Sequence, residues 1–410
     1  MRTLALLPPI AALAAWAALS CAADDATTEL SSPPTLGDDA AIPPSNARDA
    51  APPLGDADAE ADGGETPVIP ECSPEGLCVT VVPAGLTLRQ IWGAGDGVVW
   101  AVTTESERDE VAQTKPGSIL RWDGTAWTSV FSTAKGLTSI AGASGNDLWA
   151  GGTEGIFHGV VGASGQLEWN LDTSLPAGRV TSIWCADANR TWAVADGAIY
   201  RRDALGGGAW RLDPTIPTLP MNAAYARVWG SPSALFVAGG RFEPAEVFGA
   251  QILWRSSLPG ADGTWHPILE QMDLKPSFSA AAFVPPASVW ALSTQGGTPE
   301  FWGDNLVTNA FVVGRANPNG EYAITSERLG ATDILRAVWG RSESDVWIGG
   351  SYGQLRHWNG TRFDTARTAL RGLDIQDGIV QNGFHSIWGD ADGDLWVVGR
   401  EVALHRKASP

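Results

Sequence analysis

The chain of 410 residues is 44% hydrophobic and 18% charged, enough apolar content for one large folded domain or two modest ones, and too much for a wholly disordered protein. Its formal charge of −19 disfavours a broad electrostatic surface for nucleic acid or an anionic membrane. With 48 Gly, 27 Pro and 20 Trp against 3 Met, the composition points to aromatic-anchored strands joined by many turns rather than to helices.

Residues 1–20 read as an export signal. Arg2 precedes an apolar stretch from Leu4 to Leu19 that Pro8 and Pro9 interrupt, too short and too broken to span a membrane comfortably. Ala18-Leu19-Ser20-Cys21 resembles the bacterial lipobox, although that pattern prefers Leu where Ala18 stands. The resemblance implies that Cys21 is acylated and becomes the first residue of a lipoprotein. With Ala22 and Ala23 following it, the enterobacterial sorting rule points to the outer membrane, on its periplasmic or surface side. The alternative is an ordinary signal cleaved a residue or two later, with Cys21 unmodified. Residues 21–71 form the next segment, in which positions 22–71 hold twelve acids, one base (Arg48) and repeated Pro-Pro pairs. Such a stretch buries too little surface to offset the entropy of ordering it, so we expect a solvated tether extended by proline and by charge repulsion. It carries −11 of the net charge and leaves the remainder only moderately acidic.

Residues 72–410 are expected to fold as one domain. Cys72 and Cys78 enclose five residues, and in an exported chain a local disulfide is the natural reading. A motif of the form Ile-Trp-Gly, turn, Asp-Val-Trp-Ala-Val-Gly then recurs seven times. Its second anchors stand at Trp100, Trp149, Trp192, Phe236, Trp290, Trp347 and Trp396, spaced by 49, 43, 44, 54, 57 and 49 residues. The fifth copy is degraded, with Ala282 or Phe283 at its first anchor. A spacing of about 40–50 residues is one four-stranded propeller blade. The two anchors fall on strands a and b of one hairpin, and strands c and d follow, as in Ile119–Trp122 and Thr125–Trp127. Between them Asp123-Gly124, like Asn359-Gly360 in the sixth copy, is expected to form a two-residue turn. Apolar spacing of two and dense Gly and Pro exclude a helical solenoid. The seventh copy ends in strand c at Leu404-His405-Arg406, while Cys78-Val79-Thr80-Val81-Val82 precedes the first strand a. The expected fold is therefore all-β, a seven-bladed β-propeller closed by the N-terminal strand pairing into the last blade.

Residues 79–410 resemble the Trp-rich β-propeller lipoproteins of the myxobacterial type and, more distantly, the propeller repeat of two-component regulators, as in Asp345-Val346-Trp347-Ile348-Gly349-Gly350-Ser351-Tyr352-Gly353. The resemblance implies the fold and brings no catalytic motif. Nineteen of the 20 Trp residues lie between Trp92 and Trp396, at regular positions that suit packing between blades better than a ring of sugar platforms.

Motifs of chemistry are sparse. Cys185 has no partner pattern and reads as a small semi-buried thiol. His158, His357 and His405 occupy one strand-c register in different blades and cannot converge on a metal; Arg121, Arg201 and Trp254 hold that register elsewhere. Asp390-Ala391-Asp392-Gly393-Asp394 has some character of a calcium loop, but its Gly stands fourth and no closing Glu follows, so a turn is the simpler reading. No cofactor or metal is expected.

The starts of strand a offer Arg89, Thr138, Thr181, Arg227, Arg336 and His385, a set without a carboxylate. With ring closure, Arg336, His385 and Arg89 belong to consecutive blades and form a candidate ligand-binding group for a carboxylate or a sulfated sugar; the alternative is that each pairs with a neighbouring acid such as Glu343 or Asp374 and binds nothing. The insertions near 103–117, 240–250 and after Ser293 all belong to b–c connections and should emerge on the same face. The functional expectation is a monomeric, membrane-anchored envelope lipoprotein, touching the membrane through its anchor only. Its propeller would bind a protein, peptide or glycan and no nucleic acid. A polysaccharide-active hydrolase or lyase with its site at the channel mouth is the alternative, and a plain spacer is a third.

Overall fold

Runs such as Val99-Trp100-Ala101-Val102 and Val346-Trp347-Ile348 are apolar on both faces of a strand, so their sheets need cover on both sides. The computed structural model provides that cover by packing seven four-stranded antiparallel sheets side by side as a β-propeller. It describes residues 69–408 apart from 106–113, 177, 204–206, 218–222, 232, 244–245, 258–262, 272–276, 296–307, 318–320 and 330–333. The export signal, Cys21 and the acidic segment up to residue 68 lie outside the described residues.

Each of the first six blades is a meander of strands a to d. Blade 1 runs through Leu86–Gly93, Val99–Glu105, Gly117–Trp122 and Trp127–Thr133. Blade 6 runs through Leu335–Ser342, Asp345–Gly350, Leu355–Trp358 and Phe363–Thr365. Blade 7 takes strands a to c from Phe384–Gly389, Leu395–Gly399 and Val402–Arg406, and its strand d is Cys78–Thr80, paired so that Cys78 faces His405 and Thr80 faces Ala403. The ring is closed as the sequence implied, with Val81 already exposed beyond the strand. Cys72 and Cys78 are joined, and the Trp127 indole donates to Thr80 at 3.2 Å, tying blade 7 to blade 1.

The core sits between blades rather than within them. Among the described residues every junction has its own apolar cluster: Trp100 and Val102 of blade 1 pack with Ile140 and Leu148 of blade 2, while Val99 and Ala101 pack with Trp396 and Val398 of blade 7. The remaining five junctions repeat the arrangement. Period-two side chains on one strand thus feed two different cores.

The Trp-Gly pair of the motif has a direct steric cause. A Cβ on Gly93 would stand 2.7 Å from the Trp388 ring, on Gly142 2.9 Å from Trp92, and on Gly389 2.6 Å from Trp339. The strand-a Trp of one blade therefore lies on the bare backbone of the next. Cys185 occupies the Gly position in blade 3, where the preceding blade offers Ala141 instead of Trp, and it packs in that cluster. Burial pushes its thiol up to about 12, so it is an inert packing group.

Two details depart from expectation. The c–d turns span four residues, Asp123–Ala126 and Asn359–Arg362, because Trp122 pairs with Trp127 and Trp358 with Phe363. Only the Gly adopts positive φ (101° at Gly124, 95° at Gly360), while the Asp123 and Asn359 side chains each accept two backbone N–H groups across the turn. In blade 5, Ala282 is the residue opposite Trp290, which fixes it as the degraded first anchor.

Gly93→Ala should destabilise the domain by about 1–3 kcal/mol in urea unfolding, the usual cost of forcing atoms into a packed core. In a Trp388→Ala background the same substitution should cost less, since the nearest clash partner is gone and Val99 Cγ1, at 2.8 Å, is left.

Candidate functional site

Strand a is the innermost strand, and in all seven blades it carries a β-bulge near its start. One residue is left out of the a–b pairing each time: Arg89, Thr138, Thr181, Ala226, Ser279, Arg336 and His385. A bulge bends and twists its strand and re-aims the extra side chain. The repeat thus builds a ring of seven such positions at the end of the channel where the d–a and b–c connections emerge.

Arg227 is not part of this ring. It stands one residue further on, at the position that stitches neighbouring blades together. There Ser386 accepts from Ile91 N–H, Gln90 from Ile140 N–H, Ser139 from Ile183 N–H and Ser182 from Val228 N–H. Arg227 does the same work as a donor, reaching the Ser279 carbonyl at 2.7 Å. Burial, with Arg179 nearby, pushes its pKa down. Thr138 and Thr181 also face inter-blade duty, donating to the Val180 and Ala226 carbonyls at 2.6 and 3.2 Å.

The other side of the ring is charged. Arg336, His385 and Arg89 are the bulge residues of blades 6, 7 and 1, consecutive around the closed ring, and both guanidinium groups act electrostatically on the imidazole. A fourth cation joins them: Arg400, in the tight b–c turn of blade 7, bridges Thr87 of blade 1 through its backbone and donates from its guanidinium to the Gln381 carbonyl. Arg89 is braced by its Nε on the Thr104 hydroxyl at 3.0 Å. His385 is partly open to solvent yet surrounded by protein; burial and then Arg89, Arg336 and Arg400 push its pKa from 6.5 down to about 3. Its imidazole is neutral at physiological pH.

The rim above this cluster is built by the 366–383 connection between blades 6 and 7. It carries a two-stranded hairpin, Ile375–Gln376 with Ile379–Val380, turned by Asp377 and Gly378 at positive φ (49° and 77°). Gly353 N–H donates to Asn382 at 2.7 Å, fastening this hairpin to the blade 6 turn that exposes Tyr352. The sequence reading passed over both Arg400 and the hairpin, although Asp377-Gly378 between Ile375-Gln376 and Ile379-Val380 is a hairpin signal. The three anticipated insertions all fall between strands b and c, whose adjoining ends are at this face. In blade 4 the insertion lengthens strands b and c to Ala234–Glu243 and Glu246–Ser256. Residues 106–113 and 296–307 of the other two lie outside the described residues.

The three strand-c histidines serve packing. His158, His357 and His405 stack on Trp149, Trp347 and Trp396 at 3.8, 4.3 and 4.0 Å. Each also meets the Asp two residues before that Trp: Asp147 and Asp345 at 2.8 Å and Asp394 at 3.5 Å. The His357 hydrogen bond holds the Asp345 carboxyl below its ordinary range. Arg121 covers Trp100 at the same register, 5.7 Å from the ring centroid. Asp390 caps its own turn, accepting from Gly393 and Asp394 N–H, and Asp394 accepts from Ala408 N–H.

No family model and no curated protein matches the chain. Among solved structures it is similar to YCF48 bound to a D1 peptide, at 16% identity over 84% of this chain and 100% of that one, with a TM-score of 0.53. It is similar to the extracellular domain of a putative hybrid two-component system from B. thetaiotaomicron, at 12% identity over 82% of this chain and 40% of that one, with a TM-score of 0.56. It is also similar to a catalytically inactive virginiamycin B lyase from Staphylococcus aureus with quinupristin, at 12% identity over 80% of this chain and 97% of that one, with a TM-score of 0.52. At these identities the likeness establishes the class, a β-propeller.

A neutral His385 in the fold faces an unfolded chain whose histidine takes a proton near 6.5, so the unfolded state binds more protons between 6.5 and about 3. Stability should therefore fall as pH drops through that window, by up to about 1.4 kcal/mol per unit from this group. His385→Thr, which copies the bulge residue of blades 2 and 3, should flatten that part of the slope in pH-dependent denaturation.

Proposed function

We propose that the protein is an exported, lipid-anchored envelope protein whose propeller binds an anionic group of a protein, peptide or glycan at the mouth of its channel. The observation that carries this reading is the convergence of Arg89, Arg336 and Arg400 around His385 on a domain of net negative charge, under the face with the long connections. Rigid sheets holding cations beneath longer loops are the usual construction of a binding face. Exposed Tyr352 and Ile379 add apolar surface to the same rim. The propeller neighbours include one bound to a peptide and one that is an extracellular domain, which supports a binding role outside the cytoplasm. The resemblance of Ala18-Leu19-Ser20-Cys21 to the lipobox supports the anchor, and Ala22 and Ala23 after it support an outer-membrane address.

The lyase among the neighbours keeps a catalytic reading in view. Against it, an imidazole pushed down to about 3 is a weak base at neutral pH, and general-base catalysis works best with a pKa near the operating pH. Binding is the better use of this cluster.

A screen of envelope glycans and peptides against the whole mature chain, with an Arg89→Ala, Arg336→Ala double variant as control, tests the site. Ala226 at the blade 4 bulge indicates that the variant will fold. We expect anionic ligands to bind at low salt and to lose at least tenfold in affinity in the variant; equal affinity removes the site from consideration. Cys21→Ser should move the protein from the membrane to the soluble fraction, and retention of that variant in membranes would refute the anchor.

A further inference from the structure

Among the described residues, four that are not glycine hold a positive φ: Asp196, Tyr352, Asp377 and Glu401. Three of them have a local cause. The Asp196 carboxylate accepts from Arg179 N–H at 2.9 Å, and the Glu401 carboxylate accepts from Gly85 N–H at 3.2 Å. Asp377 precedes Gly378 at a hairpin tip, where Asp-Gly is the ordinary pair. Tyr352 (φ 52°) has no such cause. It is exposed, and among the described residues no hydrogen bond, ion pair or ring contact engages its side chain. A bulky residue is strained in this region, and blade 3 has the better suited Asp196-Gly197 in its own b–c turn.

The turn itself is imposed by its surroundings. Gln354 N–H closes it on the Ser351 carbonyl at 3.1 Å. Gly353, also at positive φ (65°), donates to the Asn382 carbonyl and accepts from the Thr368 hydroxyl, both at 2.7 Å. A Cβ on Gly353 would stand 2.6 Å from Val380 Cβ, so this turn lies directly against the rim hairpin. Nothing in that anchoring calls for an aromatic ring at position 352. The residues next in sequence to the two in contact, Tyr352 and Ile379, are both exposed. Backbone strain persists where the surrounding structure enforces it and function uses the residue. Resting on the reading of this face as a binding face, we propose that Tyr352 is a ligand-contact residue and that the ligand is a polypeptide, which lays an apolar side chain on Tyr352 and Ile379. A tyrosine alone would serve a sugar ring equally well. The exposed isoleucine offers a sugar neither a hydrogen bond nor a ring face, and it suits an aliphatic or aromatic side chain. The fixed turn keeps the ordering cost of binding low, because only the χ angles of the tyrosine are left to settle.

The probe is a phage library of random dodecapeptides selected on the whole mature chain, with affinities measured on synthetic copies of the selected peptides. We expect these to share an aromatic or large aliphatic residue and to lose at least about tenfold in affinity for Tyr352→Asn, while Tyr352→Trp stays within about threefold of the native chain. The same Tyr352→Asn should raise the thermal midpoint by about 1–3 °C, since Asn-Gly fits the turn better. Binding and stability would then move in opposite directions, which a merely structural tyrosine does not produce. Peptides that bind Tyr352→Asn as tightly as the native chain would overturn the contact role, and their loss of affinity in the Arg89→Ala, Arg336→Ala variant would leave the binding face itself standing. A lower thermal midpoint in Tyr352→Asn would make the tyrosine a structural residue and overturn the proposal. Recovery of no peptide, with anionic glycans still bound, would overturn the polypeptide ligand alone; recovery of neither would overturn the binding reading as well.

Discussion

Two-sided burial is the constraint from which the rest of the structure follows. A strand such as Val99–Glu105 presents apolar side chains to both faces, and no blade can satisfy that alone. Each blade must be sandwiched between two others, and a row of sandwiched blades has unsatisfied ends unless it closes. Closure explains why Cys78–Thr80 is taken from the opposite end of the domain, and why that strand is held by the Cys72–Cys78 bond and the Trp127 indole. It also explains the Trp-Gly pairing, since the flat ring of one blade needs a neighbour without a side chain at the contact.

The same closure produces the site. A bulge in every strand a gives the ring seven equivalent positions, and the side chains there divide by neighbourhood. On the side of blades 2 to 4, Thr138 and Thr181 spend their hydroxyls on the next blade's carbonyls. On the side of blades 6, 7 and 1, Arg336, His385 and Arg89 stand across the two junctions that flank blade 7. The charged side is thus centred on the blade built from both ends of the domain, and Arg400 ties that blade to blade 1 through Thr87. Recognition chemistry is laid over a packing device that is uniform around the ring.

The fold was legible because its signals repeat. Seven anchors at blade spacing, a strand missing at one end and supplied at the other, and His residues sharing one register need no tertiary knowledge to read. The site was half legible. Arg89, Arg336 and His385 share a fixed offset from a Trp, which becomes a shared position in space once the ring closes. Arg400 has no such offset in other blades and reaches the group only through a turn geometry that sequence does not display. Arg227 misled because it stands two residues before Trp229, whereas the offset of three shared by the other strand starts falls on Ala226, which is the bulge residue. The c–d turns misled for a similar reason: Asp-Gly suits a two-residue hairpin, but pairing of Trp122 with Trp127 lengthens the turn to four.

The central claim is that bulge register, together with the blade 7 turn that carries Arg400, gathers three guanidinium groups around one imidazole. It is tested most directly by following the His385 ring protons through a pH titration by NMR, in the native chain and in an Arg89→Thr, Arg336→Thr variant. The account predicts a midpoint far below 6.5, toward about 3, that moves upward in the variant. A midpoint near 6.5 in both proteins would contradict it.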